Sequence, residues 1–217
     1  MNVYEKIKEL RLIPVAVIDN ADNAVPLGKV LIDAGLPIIE VTFRTEAAAE
    51  SIKRLTKHLP DILVGAGTVL KVDQVKNAIK TGAQFIVTPG FNPKVVDYCV
   101  EEKVPIIPGV NTPTMVEWAL DRGLNVLKFF PADLSGGPKM LRSLAGPYPN
   151  VLFVPTGGIN NDSLKIYLKL PNVIACGGSW IVRKDLISSR KFEEIKNLTK
   201  NALKLIRSDY SNTNKNN

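Results

Sequence analysis

The chain has 217 residues, 45% of them hydrophobic, and carries 28 Lys and Arg against 21 Asp and Glu for a formal charge of +7. The length suits one full-sized domain, no apolar run approaches the ~18 residues that a membrane span needs, and the lysines are scattered along amphipathic segments without an aromatic-interleaved basic cluster, which argues against nucleic acid as a partner. His58 is the sole histidine, so a multi-histidine metal site and a histidine-based triad are both excluded. Cys99 and Cys176 stand far apart, with no apolar signal segment ahead of them, and a reduced, cytoplasmic protein is expected.

Residues 2–11 place Val3, Ile7 and Leu10 at helical spacing, and a continuous apolar run over 13–18 reads as a strand buried on both faces. The alternation then repeats. A helix over 22–34 stops at Gly35, a strand covers 37–43, and a helix covers 45–58 with Thr45 as its cap and Glu46 in its first turn. Strands follow at 62–66, 83–87, 104–107, 125–130, 151–154 and 173–176. The helices between and after them are expected at 72–80, 93–102, 113–121, 138–144, 162–170 and 192–206, and 209–217 is a polar tail expected to be disordered. Eight apolar strands alternating with eight helices, at roughly 20 to 25 residues per unit, predict parallel strands closed into a (β/α)8 barrel with an extra N-terminal helix, one domain over 1–208. An open doubly wound sheet is the runner-up, but no Gly-x-Gly-x-x-Gly follows the first strand.

Within the strand at 125–130, alternation puts Val126, Lys128 and Phe130 on one face and Leu127 and Phe129 on the other. An ammonium group is thereby turned into the fold. Burial favours loss of its proton, and the resulting amine can form a Schiff base with a ketone. The bland alternatives are a lysine snorkelling to solvent and one half of a structural ion pair. In the second strand, Glu40, Thr42 and Arg44 share a parity opposite to Ile39, Val41 and Phe43. A glutamate in mid-strand is poorly explained as a solvated charge, and its structural alternative is an ion pair with Arg44 or Lys128.

The third strand ends in Gly65-Ala66-Gly67-Thr68, small residues that let a ligand approach the backbone, with one hydroxyl to offer it. Two Gly-Gly segments, Gly157-Gly158 after the seventh strand and Gly177-Gly178 with Ser179 after the eighth, stand where phosphate-binding barrels form an anion site from backbone N–H groups. Read blandly, both are ordinary tight turns.

Taken together, Ile-Glu-Val-Thr-Phe-Arg-Thr (39–45), Gly-Ala-Gly-Thr-Val-Leu (65–70), Val-Thr-Pro-Gly (87–90), Ile-Pro-Gly-Val (107–110), Lys-Phe-Phe-Pro-Ala (128–132), Ala-Gly-Pro-Tyr (145–148), Pro-Thr-Gly-Gly-Ile (155–159) and Gly-Gly-Ser-Trp (177–180) resemble the 2-keto-3-deoxy-6-phosphogluconate aldolase family, whose bacterial members also act on 4-hydroxy-2-oxoglutarate. The resemblance runs from about residue 10 to residue 205. It implies a class I aldolase on a (β/α)8 barrel, a homotrimer acting on a small 2-keto acid, with no metal and no other cofactor. By motif, Lys128 would be the Schiff-base lysine and Glu40 the acid-base group. Arg44 and Thr68 would hold the pyruvate carboxylate, Pro89, Phe130 and Thr156 would line the pocket, and Gly157, Gly158, Gly178 and Ser179 would hold the phosphate. Asp19 departs from the pattern, because many members carry a basic residue after the first strand. A competing reading keeps the barrel and the phosphate loops but makes the protein a sugar-phosphate isomerase or epimerase with no covalent adduct. A third makes it a non-catalytic binding module.

Overall fold

Every strand pair in the computed structural model, which describes the backbone of residues 2–213 and the side chains of residues 2–207, runs parallel. The chain opens with α1 (Val3–Leu10) and β1 (Leu12–Ala16), then a single 3-10 turn and α2 (Ala24–Ala34), β2 (Ile38–Thr42), α3 (Ala48–His58), β3 (Leu63–Gly67), α4 (Val72–Lys80), β4 (Phe85–Val87) and α5 (Pro93–Glu101). It continues with β5 (Ile106–Ile107), β6 (Gly109–Val110), α6 (Pro113–Leu120), β7 (Val126–Phe129), α7 (Gly137–Ala145), β8 (Leu152–Pro155), α8 (Asn161–Leu168), β9 (Cys176–Gly178), α9 (Lys184–Ser188) and α10 (Phe192–Thr213). Among the described residues these strands make one sheet in the order β5-β4-β3-β2-β1-β9 and a second in the order β6-β7-β8. The alternation of strand and helix follows the expected order, and the architecture is a parallel α/β fold.

The apolar runs that announce the strands are buried on both faces, with β1, β2 and β3 buried at every position, as parallel sheets under a helical cover require. In the smaller sheet Phe129 and Phe153 meet edge to face, 6.3 Å apart, a favoured aromatic geometry. The first helix is fixed by a capping box: the Asn2 side chain accepts the Glu5 N–H at 2.9 Å and the Glu5 carboxylate accepts the Asn2 N–H at 2.8 Å. From its first turn Tyr4 reaches β5. The Ile86 N–H donates to the Pro105 carbonyl and the Thr88 N–H to the Ile107 carbonyl, so the backbone groups of Ile106 face away from β4. The Tyr4 hydroxyl donates to the Ile106 carbonyl and accepts the Ile106 N–H, both at 3.1 Å.

Four expectations are corrected. The expected fifth strand, 104–107, is observed only as β5 at its end, and after Pro108, which has no N–H to give a ladder, a further short strand that was not expected, β6, follows. The first of these, β5, ends the larger sheet and the second, β6, begins the smaller one. The eighth strand lies at 176–178 rather than 173–176. Val173 makes only an isolated bridge to Phe153, and the Gly177-Gly178 pair, read as a loop, is strand paired with Ile13 and Pro14. Thr45 does not cap α3. Its hydroxyl donates to the Ile18 carbonyl at 2.6 Å, and the helix starts at Ala48 without a side-chain cap. Finally, α10 continues to Thr213, so residues 209–213 are helical where a disordered tail was expected; residues 214–217 lie outside the described residues. The short α9 was not anticipated at all. Among the described residues no helix is long and apolar enough to cross a membrane.

Candidate active site

Lys128 lies on β7 and Glu40 on β2, strands of different sheets, yet their side chains converge. The Lys128 Nζ stands 3.6 Å from Glu40 Oε1, and the two side chains are 6% and 2% exposed. This separation is too long for a hydrogen bond, and Glu40 Oε1 has no hydrogen-bond partner. What holds the pair is charge attraction in a nearly dry setting. The Lys128 Nζ also lies 5.3 Å from the centroid of the Phe130 ring, within cation–π range. Each partner is fixed by its ladder: Lys128 is paired with Gly109 and Val154, and Glu40 with Val15 and Gly65.

The glycines of β3 serve these neighbours more directly than they serve a ligand. A methyl group at Gly67 would sit 2.6 Å from both Cγ and Cδ of Glu40, and one at Gly65 would be 2.6 Å from Cε1 of Phe85. The expectation that they open the backbone to a ligand is therefore corrected, because protein side chains already fill that space. Beyond Gly67, Thr68 has φ +56°, the left-handed region, which costs a β-branched residue about 1–3 kcal/mol. In this conformation its hydroxyl accepts the Arg44 Nε–H at 3.1 Å, so Arg44 and Thr68 meet at the ends of adjacent strands. Thr42, sharing the parity of Glu40, is spent on structure: its hydroxyl donates to the Ala16 carbonyl at 3.1 Å.

Pro89 and Phe130 share a pocket of about 230 Å³ whose other walls include Gly109, Val110, Asn111 and Met115. Asn111 and Met115 escaped the sequence reading, and the one available signal was the position of Asn111 directly after a strand end. The loops here are held by the buried Thr88, whose hydroxyl donates to the Gly90 carbonyl at 2.8 Å and accepts the Gly109 N–H at 3.2 Å.

At the end of β8, the buried Thr156 donates its N–H to the Phe129 carbonyl at 3.0 Å. Gly157 and Gly158 follow at φ +97° and +80°, two successive left-handed residues that only glycine accepts without strain. The turn after Phe130 packs beneath them. The Asp133 N–H donates to the Gly157 carbonyl at 3.1 Å, and the Asp133 side chain takes the room above Gly158. Gly178 ends β9, and Ser179 next to it is exposed. Asp19, the departure noted in the sequence, lies in the loop after β1 and forms an ion pair at 3.0 Å with Lys184, the first residue of α9. The cysteines play no part. Burial pushes the Cys99 thiol up to about 12 and raises Cys176 as well, which disfavours the reactive thiolate of both near neutral pH.

A buried lysine faces a buried carboxylate between parallel strands, and a lysine so placed is a group that can form a Schiff base with a ketone. The comparisons with known proteins agree. The family model for KDPG and KHG aldolase matches residues 3–198. The chain is 47% identical to the 2-dehydro-3-deoxy-phosphogluconate aldolase of Haemophilus influenzae, over 94% of this chain and 97% of that one. It is 38% identical to the KHG/KDPG aldolase of Escherichia coli K12, over 88% and 90%. Among solved structures, KDPG aldolase from Legionella pneumophila, with pyruvate captured at low pH as a covalent carbinolamine intermediate, superposes with a TM-score of 0.89 at 36% identity, covering 92% of this chain and 97% of that one. The chain belongs to the KDPG and KHG aldolase family and is a carbon–carbon lyase of the class I, Schiff-base type.

Proposed function

We propose that the chain cleaves 2-keto-3-deoxy-6-phosphogluconate to pyruvate and glyceraldehyde 3-phosphate, and 4-hydroxy-2-oxoglutarate to pyruvate and glyoxylate, through a Schiff base on Lys128. The observation that carries the reading is the 3.6 Å approach of Lys128 Nζ to Glu40 Oε1 between strands of two sheets.

In the proposed mechanism Lys128 yields a proton to Glu40 and its amine attacks the substrate C2 ketone. Glu40 returns that proton to the hydroxyl of the carbinolamine so formed, which leaves as water to give an iminium, and Glu40 is again a carboxylate. Glu40 takes the proton of the C4 hydroxyl, the C3–C4 bond breaks, the aldehyde leaves, and its bonding pair is held as an enamine. The protonated Glu40 then returns its proton to C3, and hydrolysis releases pyruvate and free lysine. One carboxylate serves both transfers because it is reset between them. The carbinolamine captured in the Legionella protein is the species that precedes the iminium in this scheme.

Arg44 and Thr68, joined at 3.1 Å, would grip the pyruvate carboxylate and fix the ketone toward the amine. Pro89, Phe130 and Thr156 would line the pocket for the three-carbon keto acid. Gly157, Gly158, Gly178 and Ser179 would hold the phosphate, whose remote binding would favour the six-carbon substrate. We read the two sheets as parts of one closed (β/α)8 barrel: Pro108 alone separates β5 from β6, and the bridges Phe153 to Val173 and Thr156 to Gly177 link β8 to the segment of β9. A homotrimer in a reducing, cytoplasmic setting belongs to the same reading, and the two buried free cysteines fit that setting.

Borohydride reduction in the presence of pyruvate tests the scheme. The expected result is inactivation, with a reduced pyruvyl group on Lys128 and none in Lys128→Ala, which also loses turnover. An enzyme that stays unmodified and active would overturn it, and would favour an isomerase or epimerase instead.

A further inference from the structure

The segments that follow β8 and β9 are tied together at two places. At the strand ends a parallel bridge joins Thr156 to Gly177. Further on, the Trp180 indole Nε1–H donates to Asn161 Oδ1 at 2.9 Å. Gly157, Gly158, Gly178 and Ser179 lie between these two ties.

The second tie is built from residues with little else to do. Asn161 opens α8, but the capping of that helix falls to Asn160, whose side chain accepts the N–H groups of Asp162 and Ser163, both at 3.0 Å. The Asn161 amide oxygen is left for the indole. Trp180 lies across Gly178 so closely that a methyl group there would sit 2.7 Å from Cη2 of the ring. The indole is thus placed by packing on one strand end and by a hydrogen bond to the other, and a half-buried indole N–H calls for such a partner.

We propose that Asn161 and Trp180 are positioning residues for the phosphate-bearing half of the substrate. Their hydrogen bond sets the spacing of the two glycine segments and so selects phosphorylated over phosphate-free 2-keto-4-hydroxy acids. The inference rests on the reading that those segments hold the phosphate. An anion shared between two sets of backbone N–H groups is bound well only while the sets keep a fixed separation. The Thr156–Gly177 bridge fixes that separation at the strand ends, and the Asn161–Trp180 bond fixes it past the glycines.

The test compares kcat and KM of the whole enzyme with Asn161→Ala, Trp180→Phe, the double variant and Ser179→Ala. The substrates are 2-keto-3-deoxy-6-phosphogluconate and its phosphate-free counterpart, 2-keto-3-deoxygluconate. Asn161→Ala and Trp180→Phe should each raise KM for the phosphorylated substrate about fivefold, the effect of one lost hydrogen bond, and change kcat less than about twofold. The double variant should be no worse than either single one, because both remove the same interaction. Turnover of the phosphate-free substrate should move less than about twofold. Equal losses on both substrates, no loss, or additive losses would overturn the proposal. If Ser179→Ala discriminates between the substrates while Asn161→Ala and Trp180→Phe do not, only this inference falls. If Ser179→Ala fails to discriminate, the phosphate reading falls and takes the inference with it.

Discussion

Gly67 makes the room in which the Glu40 carboxylate stands: a methyl group at residue 67 would lie 2.6 Å from both Cγ and Cδ of Glu40. The two residues are 27 positions apart in sequence and on neighbouring strands, and Gly67 pairs with Thr42 in the ladder. Gly67→Ala should force Glu40 away from Lys128 or spread the strands. Overpacking of this kind destabilises by about 1–3 kcal/mol, and a misplaced acid-base group lowers turnover by ~10²-fold. Thermal unfolding and kcat should both fall, while borohydride still traps pyruvate on Lys128. A variant with wild-type kcat would show that this space is dispensable.

Glu40→Gln separates the two halves of the proposed chemistry. The amide keeps the size of the carboxylate but neither accepts nor returns a proton. Pyruvate should still form a reducible adduct, more slowly because Lys128 must then give its proton to water, whereas exchange of its methyl protons with deuterated water, followed by NMR, should slow by ~10²–10⁴-fold. Undiminished exchange would assign the proton transfer to another group.

Thr88 offers a structural test. Its hydroxyl satisfies both the Gly90 carbonyl and the Gly109 N–H, and Gly109 is the ladder partner of Lys128. Thr88→Val leaves the buried Gly109 N–H without this partner, a loss of about 1–3 kcal/mol. The denaturation midpoint should drop and KM for pyruvate-derived substrates should rise, because Pro89 and Phe130 share the pocket. Thr88→Ser, which keeps the hydroxyl, should restore most of both.

The thiols predict a pH dependence. Burial raises Cys99 from its ordinary value of 9.0 to about 12 and moves Cys176 in the same direction. Above pH 9 the unfolded chain therefore releases thiol protons that the folded chain keeps. Their contribution to stability is present below that pH and is lost as pH rises toward 12. Denaturation midpoints should fall over that window, and less steeply in Cys99→Ala. At pH 8 neither cysteine of the folded enzyme should react with a thiol reagent, and both should react once it is unfolded.

Much of this was legible in the sequence because burial on both faces leaves unbroken apolar runs such as Ile13 to Ile18, and those runs fix strand parity. Parity alone turned Lys128 and Glu40 inward. What could not be read were relations between distant residues. Gly65 and Gly67 looked like openings for a ligand because Phe85 and Glu40, which occupy that space, lie elsewhere in the chain. The Gly177-Gly178 pair looked like a turn because its strand partners, Ile13 and Pro14, are more than 160 residues away. Pro108 marked the end of the strand expected at 104–107, yet a proline does not announce that pairing resumes at Gly109 in a different sheet. Asn111 and Met115 had no motif to mark them.

The Tyr4 hydroxyl, by serving both backbone groups of Ile106, stands in for a residue of an adjacent strand that the larger sheet lacks at that rim. The first helix is therefore a plug, not an ornament. A shortened chain beginning at residue 11 would bare an amide and a carbonyl that could template another molecule's backbone, and its first symptom would be self-association, with the chemistry at the far ends of the strands still intact.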